Sequence, residues 1–356
     1  MYDDKKEILS IAVSLLLLSL NSTLTGCSDN DNPIVDNRVE GSAYLNVPNE
    51  RERDGDASLY APYVWRLEKL QEDALPKNFR TCQDEFLSYD ATDQTGLLDA
   101  SYHPTRQGFD GLMISGSADF SAKELSQLVT YLRNLHQGNI AILDFRSETH
   151  GFVNGAHVSL YGLNNWSNIG KSCEEIIAEE KQRLFELVGK TITWCELSSK
   201  TDYQVLEPED ILVETAFTEE ERCRAEGVGY KRITVLDHTF PTDQALDSFI
   251  KYVCELPPNT WLHFHCQAGK GRTTLFMLFY DMMRNPEIPL QDLVYRHCLI
   301  GGHYLLNDGA TDNSWKHELY AEKAALVPVF YDYVRSNAVN NFSTSYSEWK
   351  NKTFKK

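Results

Sequence analysis

One stretch constrains this chain more than any other. A strand-length run, Thr260–His265 (TWLHFH), passes through the loop Cys266-Gln267-Ala268-Gly269-Lys270-Gly271-Arg272 into a helix-length run, Thr273–Arg284. The second run is apolar on nearly every side, through Leu275, Phe276, Leu278, Phe279, Met282 and Met283, and a helix of that kind is buried. Asn285-Pro286 ends it. A buried strand turning directly into a buried helix is α/β architecture, and the loop between them opens at a helix N-terminus, where anions bind.

The flanking sequence repeats this grammar. Ser121 and Glu124 form a capping box, Leu125, Leu128, Val129, Leu132 and Leu135 recur at helical spacing, and Gly138 follows as the expected stop. Asn139–Arg146 is a continuous apolar run suited to a strand buried on both faces. A further strand is expected at Tyr230–Leu236, and then a helix from about Thr242 with Leu246, Phe249, Ile250 and Val253 on one face. Residues 151–229 interrupt the series with one helix, Cys173–Val188, and strand-like pieces near His157–Tyr161, Thr191–Glu196 and Asp210–Thr215. They read as an inserted, β-rich subdomain.

The loop carries chemistry. The spacing from Cys266 to Arg272 lets the backbone curl so that several N–H groups point inward, a nest that binds an oxyanion. Gly269 and Gly271 are expected to allow close approach and unusual dihedrals. The same field favours the Cys266 thiolate over the thiol, whose free pKa is about 8.5. Arg272 offers a two-pronged guanidinium to phosphate oxygens, which Lys would not. Thr273 is placed to hydrogen-bond the sulfur, and His265 to brace the loop. Lys270 is followed by Gly271 rather than Ser or Thr, so the Walker pattern is not met. An acid for the leaving alkoxide is expected at Asp237, in LDHTFP at the end of the second strand, on a segment stiffened by Pro241.

Composition limits the partners. The formal charge of -18 over 356 residues argues against nucleic acid, which needs a basic field. An anionic substrate then requires locally gathered cations. Ile8–Leu20 is apolar but short of the roughly 20 residues a spanning helix needs, and Leu24-Thr25-Gly26-Cys27 follows it. This resembles a bacterial lipobox, with Cys27 as the lipidated residue, although Lys5 and Lys6 are offset by Asp3, Asp4 and Glu7. The expected organisation is a signal peptide at 1–26, a polar linker at 27–60, a phosphatase domain at 61–340 and a tail at 341–356. The protein would be an exported lipoprotein held to a membrane, most simply the outer one, by its N-terminal lipid. Among the eight Cys, no CxxC or HxxxH spacing suggests a metal site, and no cofactor is expected. Export would permit disulfides, whose pairing spacing alone does not give.

Longer motifs sharpen the reading. Asp144–Gly155 (DFRSETHGFVNG), Asn165–Lys171 (NWSNIGK), Leu75–Arg80 (LPKNFR), Gly116–Ser121 (GSADFS), Asp237-His238 with Pro241, and HCQAGKGRTT together resemble the bacterial protein-tyrosine-phosphatase-like inositol polyphosphatases, the cysteine phytases. The resemblance covers residues 75 to about 335. It implies a phosphatase core, with a central mostly parallel sheet flanked by helices and an inserted partial β-barrel. That core would hydrolyse phosphomonoesters of myo-inositol hexakisphosphate through a phosphocysteine, without metal. It also implies that Arg80, His238, Lys316 and Lys323 contact substrate phosphates beside the loop residues Gln267, Ala268, Gly269, Lys270 and Gly271, and that Asp144 orients a basic site residue. Gln267 stands where the family has an acidic residue, and Lys270 adds a charge. Both widen the range of expected substrates to phosphoinositides, and a phosphotyrosine phosphatase or an inactive polyanion-binding module stay open as alternatives.

Overall fold

The computed structural model describes residues 55–92, 94, 96–198, 204–309 and 314–354. The signal segment, Cys27 and most of the expected linker lie outside the described residues. The strands are β1 (Val64–Lys69), β2 (Arg80–Thr81), β3 (Ile114–Ser117), β4 (Asn139–Arg146), β5 (His150–Val153), β6 (Ala156–Tyr161), β7 (Thr191–Leu197), β8 (Val205–Leu212), β9 (Ala216–Phe217), β10 (Gly229–Val235) and β11 (Thr260–His265). The helices are α1 (Ala122–Leu135), α2 (Cys173–Leu187), α3 (Glu219–Ala225), α4 (Asp243–Glu255), α5 (Gly271–Arg284), α6 (Leu290–Leu299), α7 (His317–Asn337) and α8 (Tyr346–Phe354).

A five-stranded sheet, in the order β10-β4-β11-β3-β2, forms the centre. Its neighbours run parallel except β2 against β3. Strand alternation explains why continuous apolar runs were needed. β4 sends Ile140 and Ile142 to the α1 side, against Leu125, Leu128, Val129 and Leu132, and sends Ala141, Leu143 and Phe145 to the opposite face, which α4 and α5 cover. α1 starts with the expected capping box, Glu124 accepting from the Ser121 amide at 2.8 Å. It ends at Leu135, however, ahead of Gly138. Gly138 is needed for a different reason, because a Cβ there would strike the Asn259 carbonyl.

A second sheet, six-stranded, runs β8-β7-β1-β6-β5-β9. Its strand β1 pairs antiparallel with β6 and parallel with β7. β1 precedes the whole core in sequence, so this layer is not contained in 151–229 as expected. The segment before the core threads through its middle. Val153, Val158, Leu184, Trp194 and Val213 fill its interior.

The C-terminus also departs from expectation. Residues 346–354 form a helix that belongs to the main core rather than a tail. Tyr346 is fully buried, with ring centroids 5.4 Å from Tyr333 and 5.8 Å from Phe330, and Lys350 reaches Asp243 of α4 at 2.8 Å. At the other end Tyr60 lies against Trp166 at 5.4 Å, so packing begins inside the segment read as linker. Removing the Tyr346 ring should cost about 3–5 kcal/mol by cavity formation. Urea unfolding of Tyr346→Ala is expected to show that loss, and Tyr346→Phe most of the wild-type stability.

Candidate active site

Parallel strands end together, so the segments leaving β4, β10 and β11 emerge at one edge, where open α/β sheets bind ligands. β11 delivers the loop. Gly269 takes φ +70°, and a Cβ there would collide with the Ser117 carbonyl and the Ala118 amide. Only Gly is free to turn the chain at this point. Gly271, expected to share that role, has no positive φ and faces open space. It opens α5, whose N-cap residue Lys270 makes no side-chain cap, so the first amides of α5 are left for a ligand.

Cys266 is 3% exposed, and the Thr273 hydroxyl donates to its sulfur at 3.1 Å. The loop is braced from behind by Arg80, which donates to the carbonyls of Gly269 at 2.7 Å and Asn78 at 3.1 Å and to Thr274 Oγ1 at 3.0 Å. The structure therefore places Arg80, expected as a phosphate contact, behind the loop as its support and outside the cavity lining. Gln267 donates to Glu68 of β1 at 3.1 Å. An acidic residue in its place would face that carboxylate, which accounts for the amide. Lys270 lines the cavity, with Nζ donating to the Gly301 carbonyl at 2.8 Å.

Arg272 is held from the side opposite the cavity. Nη1 and Nη2 donate to the two oxygens of Glu148 at 2.8 and 2.7 Å, and Nη1 also reaches the Val235 carbonyl at 3.0 Å. Nη2 has a second carboxylate, Asp237, at 3.1 Å. Nε is buried with no hydrogen-bond partner. Asp237 is itself fixed by the Asn165 amide at 3.1 Å and the His238 backbone N–H at 3.0 Å, while Trp166 donates to its carbonyl at 3.0 Å. Burial works against its charge, yet Arg272, His238 and the Asn165 hydrogen bond together hold the Asp237 carboxyl well below the usual range.

These groups surround a cavity of about 330 Å³. Cys266, Arg272 and the loop form its floor, and Asp237 and His238 one wall. His238 adopts φ +68°, and burial, with Lys316 and Lys323 nearby, brings its imidazole down to about 4, so it is neutral at physiological pH. Lys323, on α7, lines the cavity from above with Nζ 5.1 Å from the Tyr320 ring centre. Burial lowers its ammonium to about 8. Lys316 lies two turns before it over the Trp315 ring, which meets His238 edge-on at 5.3 Å. Arg66 and Tyr161 of the second sheet, with His303 and Tyr320, complete the lining.

Two sequence candidates lie beneath the cavity and do not line it. Asp144 is fully buried, 3.1 Å from His150 and 3.3 Å from Arg232, and accepts from Tyr230 at 2.8 Å. It orients basic groups, as the resemblance implies, but touches no cavity wall. His265 is also fully buried, its Nε2 2.7 Å from Glu219. Sequence reasoning missed Glu148, Glu219, Arg66 and Tyr161. Glu148 stood inside the quoted DFRSETHG motif, yet its pairing with Arg272 spans the chain. Arg66 reaches the site only because β1 joins the second sheet. Among the described residues, Cys82, Cys173, Cys195, Cys223, Cys254, Cys266 and Cys298 form no disulfide with one another.

Fold and loop define an α/β protein with a thiol cradle of the tyrosine-phosphatase type. A family model described as PTP-like phytase, inositol hexakisphosphate, matches residues 143–284. Among solved structures, the PTP-like myo-inositol phosphatase from Mitsuokella multacida in complex with myo-inositol-(1,3,4,5)-tetrakisphosphate is 39% identical, with a TM-score of 0.77 over 82% of this chain and 49% of that one. A PTP-like phytase from Bdellovibrio bacteriovorus is 29% identical, with a TM-score of 0.64 over 82% of this chain and 95% of its own. The effector protein hopD2 of Pseudomonas syringae pv. tomato is 27% identical over 69% of this chain and 53% of that one. This chain thus spans about half the length of the Mitsuokella and Pseudomonas relatives. Its residues 143–284 match the family model of the protein-tyrosine-phosphatase-like phytases, and its fold is similar to that of solved members of that family.

Breaking a buried ion pair from one side costs about 3–5 kcal/mol because the other charge stays buried. Glu148→Ala is expected to lose that much in urea unfolding. Under the function proposed below, its phosphate release should fall even where the protein remains folded, because the guanidinium loses its fixed direction.

Proposed function

We propose that the chain hydrolyses phosphomonoesters of inositol polyphosphates, phytate among them, through a phosphocysteine on Cys266. One observation carries this reading. With Glu148 occupying the far side of Arg272, Nε–H has no partner and the outer side of Nη2 is shared with Asp237 alone, so a phosphate that displaces Asp237 from Nη2 meets a fork for two of its oxygens. Below that fork sit the sulfur and the uncapped amides of α5. The relative solved with an inositol tetrakisphosphate supports the substrate class.

In the first step Sγ attacks phosphorus and the P–O bond to the sugar alcohol breaks. Asp237 gives its proton to the departing oxygen. In the second, water attacks phosphorus and the P–S bond breaks. Asp237 takes the water's proton, and the Thr273 hydroxyl stabilises the returning thiolate. Before substrate binds, Arg272 holds Asp237 ionised. A phosphate entering the fork takes the guanidinium's donors and brings its own negative charge. Both changes raise the carboxyl's proton affinity, so substrate binding itself converts Asp237 to an acid. Substrates with several phosphates have Lys323, Lys316 and Arg66 around the rim to receive the others.

At equal concentration, phytate is expected to be turned over in preference to a phosphotyrosine peptide or a phosphoinositide head group. Preference for the peptide would contradict the assignment. Cys266→Ser should abolish release from all three. Asp237→Asn should lose about 10²–10⁴-fold on phytate and far less on p-nitrophenyl phosphate, whose leaving group needs no proton. Equal losses would remove Asp237 as the acid.

Lys323 gives a pH signature. Its folded value is lowered to about 8, so its charge is present below that pH and lost as pH rises through it. KM for phytate should climb above about pH 8, and Lys323→Arg should remove the climb, since guanidinium stays charged. Initial rates from pH 6 to 9.5 test this.

A further inference from the structure

Beneath the loop lies a cluster of charged groups that the mechanism does not use. Glu219, the first residue of α3, is 1% exposed, in the segment that leaves the second sheet for β10. Its oxygens lie 2.7 Å from His265 Nε2 and 3.4 Å from His150 Nε2. His265 immediately precedes Cys266. Its ring is otherwise packed on Phe120 at 4.8 Å and faces His263 at 6.5 Å. Among the described residues the only other carboxylate near Nε2 is Asp144, at 3.9 Å.

A carboxylate this deep is costly unless matched by cations. His150 shows how the matching is done. Its Nδ1 donates to the Glu148 carbonyl at 2.7 Å, so a hydrogen on Nε2 is also needed to face Asp144 at 3.1 Å and Glu219. Burial disfavours that second proton, but Asp144 raises the ring to about 10. Burial also disfavours the Glu219 charge, yet His265 and His150 draw its carboxyl down to about 2. Glu219 is thus fixed as an anion directly under the residue that leads into the nucleophile.

We propose that Glu219 is a positioning residue for Cys266: it anchors the His265 ring, and through that ring the start of the loop that carries the sulfur. The groups facing this pair are His150 and Asp144, His157 from β6, Arg232 and Tyr230 from β10 against Asp144, Cys223 on the helix of Glu219, and His263 beside His265. Glu219 enters from the strand-rich layer and His265 belongs to the core sheet, so the contact couples that layer to the reacting sulfur. The inference rests on the phosphatase reading for the role of Cys266.

The test measures alkylation of Cys266 by iodoacetate against pH, by mass spectrometry, in the full chain. It is combined with kcat and KM on p-nitrophenyl phosphate and with urea stability. Glu219→Gln is expected to move the alkylation profile up by about one pH unit, a roughly tenfold slower reaction on the acid side. It should lower kcat more than it changes KM. His265→Asn should do the same, and the double variant should be no worse than His265→Asn alone, since one residue acts through the other. If Glu219→Gln does not accumulate folded, Glu219→Asp, which keeps the charge but withdraws it by one methylene, should show a smaller move in the same direction. An unchanged profile with only a stability loss, additive losses in the double variant, or a stoichiometric metal ion found in the purified protein would each overturn the proposal alone. A wild-type Cys266 that alkylates only near the ordinary thiol range, with no phosphatase activity, would overturn the phosphatase reading and this inference with it.

Discussion

The bidentate contact between Glu148 and Arg272 sets the geometry of the site. A guanidinium 3% exposed would be intolerable without a fixed counter-charge. Glu148 supplies it from the side away from the cavity, and so decides which donors remain for a ligand. The surrounding parts conform to that choice. Asp237 shares the remaining face of Arg272. Thr273, one residue on, turns its hydroxyl to Cys266. The cradle exists because the arginine is already committed on its other side.

Beneath it the protein buries an unusual density of charge. Arg146 meets Glu68 at 3.1 Å and Asp119 at 2.9 Å, and Arg232 meets Glu180 at 2.6 Å and Asp144 at 3.3 Å. Such a lattice is weak evidence for stability, since well-packed apolar groups often do as well. Its value here is directional. Glu68 belongs to β1, Glu180 to α2 and Glu219 to α3, and each reaches a basic group or loop residue of the core sheet. The second sheet is thereby joined to the catalytic edge by contacts that tolerate little displacement.

The sequence made the core sheet legible where period and burial agreed. The runs at 139–146 and 260–265 declared strands covered on both faces, and the apolar α5 announced its own burial. The loop was readable because its chemistry is local: sulfur, guanidinium, hydroxyl and glycine all fall within a few residues. The features that escaped were non-local. No pattern in Val64–Lys69 says that it pairs with strands on both sides of α2, so the second sheet looked like a self-contained insert. Tyr346 sits in a polar stretch that hid a core residue. Arg80 was assigned by resemblance to substrate phosphates, but the direction of a side chain depends on which face of the sheet receives it, and its guanidinium turns to the carbonyls of Asn78 and Gly269. Glu148 was visible as a letter and invisible as a partner.

Catalysis by this route requires a sulfur that accepts phosphorus. Rapid quenching of the enzyme with phosphate-labelled phytate, followed by proteolysis, tests this most directly. Label is expected on the peptide containing Cys266, acid-stable and absent from Cys266→Ser. Steady phosphate release with no label on that peptide, or with label on another residue, would contradict it.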